Sequence, residues 1–297
     1  MKKYLLILLF IPIVAQAQMW KRNRAEFLFG LGTTNFLGEL GGANQIGTNG
    51  LRDFEFRATR PLTTIGYSYR VTKEICTQFD MTYGWIYGAD KLTTEPARNN
   101  RNITYRSPIV ETAGKVCYEF IREKKGHRYR LKGIQGLKNI HFTSYIFTGI
   151  GGFYFNPKGK YVDGAWYALK PLCTEGQGYY DSRTPYHRIQ LAIPMGIGFK
   201  YILSKEWFIG LEIGMRKTFT DYMDDVSTTY PDKEYMTDEL GTMAGYFSNP
   251  TTGAIPGATT ANQQRGDPGD KDSYMFMTIT MRYKIPHSKR FFGIPKF

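Results

Sequence analysis

The sequence predicts an all-β fold, an eight-stranded antiparallel transmembrane β-barrel of the outer-membrane type with four long extracellular loops. Three observations carry this prediction. Long segments alternate apolar and polar residues with period two, the signature of strands. Connections alternate between tight turns and long loops rich in Gly, Pro, Asn and Thr, as in outer-membrane barrels. Beyond Gln18 no window offers the roughly 18 apolar residues of a spanning helix.

Composition agrees. The 297 residues include 22 Tyr, 20 Phe and 32 Gly, which suit pleated strands and turns. A mean hydropathy of -0.39 is too polar for a bundle of membrane helices. An apolar share of 42% excludes disorder.

Residues 1–17 read as a signal peptide. Lys2 and Lys3 precede an apolar run from Tyr4 to Val14, about half of the ~20 residues a spanning helix needs. Ala15, Gln16 and Ala17 supply the small-x-small cleavage pattern. The mature chain then begins at Gln18 in an exported protein, and without a Cys after the cut it is not a lipoprotein. Loss of Lys2 and Lys3 lowers the net charge from +13 to +11. Residues 18–285 are assigned to the barrel and 286–297 to a periplasmic tail.

The strands follow in order. The first, from Ala25 to Leu37, is Gly-rich. The second places Ile65, Tyr67, Tyr69 and Val71 on one face, and the third Phe79, Met81, Tyr83, Trp85 and Tyr87. In the fourth, Val110, Val116, Tyr118 and Phe120 oppose Glu111, Ala113, Lys115 and Cys117. The fifth runs from Ile140 to Phe155. The sixth aligns Ile189, Leu191, Ile193, Met195, Ile197, Phe199 and Tyr201, and the seventh Trp207, Ile209, Leu211, Ile213 and Met215. The last aligns Met275, Met277, Ile279, Met281 and Tyr283. Each reaches the ~9–11 residues of a tilted membrane strand. A soluble sandwich would bury the apolar face, whereas a membrane barrel turns it outward around a polar interior. Periodicity alone does not separate the two. Strand length, the even count and the connections favour the membrane.

Thr72 to Glu74 and Ser204 to Lys205 are tight turns; 38–60, 89–105, 156–186 and 220–272 are long loops. The exception is 122–139, long where a short turn is expected. It carries Arg122, Lys124, Lys125, Arg128, Arg130, Lys132 and Lys138 against Glu123, a net of +6. With the termini and short turns placed in the periplasm, the same end collects Lys21, Arg22, Arg24, Lys73, Lys205, Lys289, Arg290 and Lys296. On the opposite end, Asp221, Asp224, Asp225, Asp232, Glu234, Asp238 and Glu239 face Lys233, a net of -6. A basic underside attracts anionic lipid headgroups or an acidic protein surface. The tail adds Phe291, Phe292, Ile294 and Phe297, which suggests packing against a periplasmic partner.

Eight strands enclose an interior that side chains fill, so neither a porin nor a protein-conducting channel is expected. Asp181, Ser182 and His187 are the one loop set with the residue types of a hydrolase, and they motivate the alternative of a lipid-modifying barrel enzyme. A surface adhesin using the long loops is a third reading. No nucleophile-elbow pattern surrounds Ser182, so no catalytic residue is assigned. His127, His141 and His287 lack metal-ligand spacing, Asp221, Asp224 and Asp225 lack an EF-hand pattern, and Arg265-Gly266-Asp267 is a chance tripeptide. No cofactor, metal, nucleic acid or small-molecule substrate is expected. Of the three cysteines, Cys76 and Cys117 fall near the periplasmic ends of neighbouring strands, where they could bridge each other or one could bond a partner. Cys173 sits in an outward loop.

Three stretches, GLGTTNFLGEL from Gly30 to Leu40, DYMDDVSTTY from Asp221 to Tyr230 and RGDPGDKDSY from Arg265 to Tyr274, together with the signal peptide, resemble the PorG family. These are small outer-membrane barrels of the type IX secretion system in Bacteroidetes. The resemblance follows the mature chain in order and spacing, departing at Glu39, where the family pattern has Asp. It implies a non-enzymatic role beside the periplasmic ring of the lipoprotein PorK and PorN, in support of protein export, virulence and, in gliding species, motility.

Overall fold

The computed structural model describes residues 24–40, 55–123 and 141–286. Within them lie ten strands: β1 (Ala25–Leu37), β2 (Arg60–Arg70), β3 (Ile75–Ala89), β4 (Thr104–Ile121), β5 (Phe142–Phe155), β6 (Lys158–Lys160), β7 (Trp166–Ala168), β8 (Ile189–Ile202), β9 (Trp207–Thr218) and β10 (Ser273–Lys284). All but β6 and β7 form one antiparallel meander, each strand hydrogen-bonded to the next, and β10 returns to pair with β1. The ring of eight is closed, so these strands leave no open edge. They run from 11 to 18 residues, enough to cross a bilayer at a tilt.

The alternation read from the sequence resolves into an inverted protein. Phe29 is 52% exposed, Ile65 55%, Leu191 58% and Ile279 57%, and the other apolar stripes face outward with them. An apolar band of this extent around a closed barrel matches hydrocarbon, since water-soluble monomers rarely expose large contiguous apolar patches.

Charge lies inside. Glu26, Asp80, Glu111, Glu119 and Glu212 point into the lumen, as do Lys115, Lys200, Arg216 and Arg282. Glu212 on β9 accepts hydrogen bonds from Gln78 at 3.0 Å, Lys115 at 2.8 Å and Tyr145 at 2.6 Å, and pairs with Arg282. Lys115 also pairs with Asp80. Toward the end where β1 begins, Lys200 pairs with Glu119 at 2.9 Å and with Glu26 at 3.6 Å. Toward the opposite end, Arg216 pairs with Glu111 at 3.3 Å, and Tyr274 donates to the same carboxylate at 2.6 Å. Above these layers Phe36, Leu62, Ile86, Tyr105, Ile109, Phe153, Phe155 and Phe276 close the interior with apolar side chains.

The bonds that span the ring matter most. β3 and β9 face each other across it, as do β4 and β10. Gln78 nevertheless reaches Glu212, and Tyr274 reaches Glu111, in single hydrogen bonds. The lumen is therefore bridged from wall to wall by side chains, as an eight-stranded barrel requires. Glycine makes a shorter reach possible, from β5 past β8 to β9. Tyr145 lies opposite Gly198 in the β5–β8 ladder, and a Cβ at position 198 would sit 2.1 Å from its ring. The bare backbone lets the phenol lie flat against the wall on its way to Glu212.

The sequence-derived connections shift by a residue or two and hold more structure than expected. Four-residue turns, 71–74 and 203–206, replace the shorter ones. β6 and β7 form a small hairpin hung from the end of β4, and the long connections carry helices α1 (Pro96–Arg101), α2 (Lys233–Leu240) and α3 (Thr242–Ser248). Elements of three to eight residues leave too little periodicity to be read in advance.

Two substitutions test this arrangement. Ile279→Arg would be tolerated on a soluble surface. On a lipid-facing strand it should cost about 2–4 kcal/mol, seen as reduced insertion into vesicles and loss of heat-dependent gel mobility. Glu212→Ala removes the carboxylate that Lys115 and Arg282 share, leaving them only Asp80 and the more distant Glu26, and should lower unfolding stability in detergent by about 3–5 kcal/mol, measured by urea titration of tryptophan fluorescence.

Candidate functional site

The two ends of the barrel differ. One end holds the start of β1, the finish of β10, both four-residue turns and the 122–141 connection. The long connections 38–59, 90–103, 156–188 and 219–272 gather at the other. The sidedness expected from the sequence is thus the sidedness of the topology, including the anomalous long connection between β4 and β5.

At the terminus end, Lys73 and Lys205 project from the turns into solvent. Arg122 pairs with Glu74 at 3.0 Å and donates to the Lys73 carbonyl at 3.1 Å, which ties the start of the basic connection to the β2–β3 turn. Lys284 pairs with Glu123 at 3.6 Å. The remaining candidates, Lys124, Lys125, Arg128, Arg130, Lys132 and Lys138, lie outside the described residues, as do Lys289, Arg290, His127, His287 and the signal peptide.

The loop end is a packed cap. Asp90, fully buried, accepts from Arg98 at 3.2 Å, twice from Arg101 at 2.9 Å, and from the Ile103 amide at 3.0 Å. Arg101 extends to Glu39 at 3.3 Å and to the Arg265 carbonyl at 2.7 Å. Arg265 pairs with Glu175 at 2.8 Å, and Glu175 accepts from the amides of Ser227 and Thr228. One relay of alternating charge, Asp90–Arg101–Glu39 and Arg265–Glu175, joins all four long connections. Stacked rings of Phe155, Tyr186 and Tyr222 pack beneath it.

The segment read as an acidic outer loop is divided by this cap. Asp221, Asp224 and Asp225 are buried, while Asp232, Glu234, Asp238 and Glu239 stay at the surface with Lys233. Tyr186 donates to Asp225 at 2.7 Å and Thr174 to its other oxygen. Asp224 caps the Val226 amide at 3.0 Å, and Asp272 accepts from the Met223 amide at 2.8 Å. Burial, and then the neighbouring Asp272 carboxylate, push the Asp221 carboxyl up to about 9. Burial likewise raises Asp224 and Asp272, and it lifts Asp225 to about 6 against the pull of Arg265. Among the described residues no group of three His, Cys, Asp or Glu side chains has a metal-holding arrangement.

The hydrolase candidates do not assemble. Asp181, Ser182 and His187 are exposed, and no hydrogen bond links Ser182 to His187 or His187 to Asp181. Arg265 of the Arg-Gly-Asp tripeptide is buried in the relay. Cys76 and Cys117 face each other directly inside the barrel. Cys173 lies in the cap, half-buried, its thiol donating to the Lys170 carbonyl at 3.7 Å.

The family model described as a domain of unknown function, DUF6089, matches residues 2–245. No curated protein matches the sequence. Among solved structures the chain is similar to Ail, the attachment invasion locus protein of Yersinia pestis, in complex with a heparin analogue. Identity is 6% over 89% of this chain and 99% of that one, at a TM-score of 0.39. It is also similar to OprG of Pseudomonas aeruginosa, with 7% identity over 89% and 98% at 0.36. Neisserial surface protein A is similar too, with 7% identity over 88% and 95% at 0.35.

The buried carboxyls give the cap a pH dependence of definite sign. Asp221 keeps its proton in the folded cap and loses it on unfolding at any pH between its ordinary 3.8 and about 9. The folded state then binds more protons, so the contribution of this group to stability is greatest below 3.8 and falls as pH rises to about 9. Asp224, Asp225 and Asp272 act in the same direction. Hydrogen-exchange protection of residues 219–272, corrected for intrinsic rates, should fall from about pH 6 to about pH 9, and Asp221→Asn should flatten part of that slope.

Proposed function

We propose that this chain, which belongs to the DUF6089 family, is a non-enzymatic outer-membrane component of the type IX secretion system that holds the periplasmic PorK and PorN ring at the membrane. The observation that carries the reading is where the positive charge stands. Inside the barrel, Glu26, Asp80, Glu111, Glu119 and Glu212 meet Arg70, Lys115, Lys200, Arg216 and Arg282, one cation for each carboxylate. The lumen absorbs none of the chain's excess. The +6 of residues 122–138 belongs to a connection that leaves the barrel at the terminus end, next to Lys73 and Lys205.

A sealed lumen supports a scaffold rather than a conduit, since cargo has no path through side chains that bridge the walls. An apolar belt gives the scaffold its hold on lipid. The basic connection and the tail with Phe291, Phe292, Ile294 and Phe297 are the surfaces proposed to meet the ring, by charge and by apolar contact respectively. Outer-membrane placement, periplasmic termini and the contribution to virulence or gliding belong to the same proposal.

Reversing charge at Lys124, Lys125, Arg128 and Arg130 tests it. Copies of the variant that reach the outer membrane should lose most co-purification with the ring proteins in mild detergent, and secretion should drop with it. Full retention of both by a correctly inserted variant would move the docking surface elsewhere.

A further inference from the structure

Cys76 on β3 and Cys117 on β4 are opposite each other in register. Two residues toward the turn, the Glu119 amide donates to the Glu74 carbonyl at 2.7 Å. Antiparallel pairs alternate between bonded and non-bonded types, so the cysteines occupy a hydrogen-bonded pair with Cα atoms about 5.5 Å apart. That separation lies within the roughly 4.4–6.8 Å that a disulfide spans. Both side chains point into the lumen, 4% and 0% exposed, against Tyr145 and Phe147. Both are free thiols in the structure.

We propose that Cys76 and Cys117 are joined as an intramolecular disulfide during export, before the barrel closes. The inference rests on the exported-barrel reading but not on the type IX assignment. A periplasmic dithiol oxidase in its disulfide form is the oxidant. One cysteine thiolate attacks a sulfur of that disulfide, forming a mixed disulfide and releasing one oxidase thiolate. The second cysteine thiolate then attacks the chain's sulfur in the mixed disulfide and expels the other thiolate. Both cysteine protons pass to solvent or to the released thiolates, and two electrons pass to the oxidase. The order is set by burial: in the closed barrel neither an oxidase nor a partner protein reaches these sulfurs. The bond therefore forms before closure, and afterwards the lumen shields it from reductants. It ties β3 to β4 below the connection that carries α1.

The test separates a disulfide from thiols that are merely buried. Outer membranes are unfolded in hot detergent with N-ethylmaleimide and no reductant, then reduced and treated with a heavier maleimide. Residues 76 and 117 should carry only the heavy label, and an unreduced digest should contain their two peptides joined. Light label on both in the wild-type protein overturns the proposal. In Cys76→Ser, Cys117 freed of its partner should take the light label; a wild-type Cys117 peptide joined to anything other than the Cys76 peptide would also overturn the proposal. If instead the protein shows no heat-dependent gel mobility while the bond is present, the membrane reading fails and the disulfide stands.

Discussion

The carboxylate of Glu212 is approached from β3, β4, β5 and β10 at once, by Gln78, Lys115, Tyr145 and Arg282. Few single interactions in a barrel touch so much of its circumference. Taking such charges out of water costs several kcal/mol per ion, and only close pairing with further hydrogen bonds offsets it. The outer face cannot supply specificity of this kind, because lipid tails are indifferent to which apolar side chain meets them. Register is therefore fixed from within. A one-residue slip of any strand would turn its lumen-facing charges into hydrocarbon and its aromatic stripe into a polar interior.

That constraint decides what the barrel can be used for. Side chains that join opposite walls fill the lumen as eight strands require, which turns attention to the two ends and the lipid face. The loop end is occupied by its own relay of buried charge, which makes four long connections into one body. The terminus end has a different character, with short turns that present single lysines and one long connection whose cations outnumber its lone acid. The anchoring proposal rests on these three features: the apolar belt, the bridged lumen and the basic end.

Much of this was legible in the sequence because a barrel strand has one side facing lipid and the other facing charge. The stripe Trp207, Ile209, Leu211, Ile213 and Met215 against Glu212 and Arg216 states the fold almost alone. It also names residues of the polar core, although not that Glu212 would meet Gln78, 134 positions away. Contacts of that range carry no local signal. The cap was less legible for a related reason. Asp221, Asp224 and Asp225 look like solvated loop acids, and only the proximity of Thr174, Tyr186 and Met223 with Asp272 buries them. Hydrolase residue types on one loop were visible too, but a shared loop fixes neither facing nor distance, and Ser182 and His187 stay apart.

The three sequence stretches that carry the PorG resemblance have a spatial meaning that their order along the chain hides. Glu39 from the first accepts from the Asp267 amide of the third. Arg265 and Gly266 donate to the Thr228 carbonyl of the second at 2.8 and 2.9 Å. Asp272 of the third holds the Met223 amide of the second. These stretches are one site, folded over the mouth of the barrel. Gly266 fits there because a Cβ would lie 2.8 Å from the backbone of Ser227. The acids and arginines between them are held by one another and by main-chain amides. Residues so deeply committed to each other shape a lid. Buried as they are, they offer little free charge to a partner, and the docking proposed above is drawn on the opposite end.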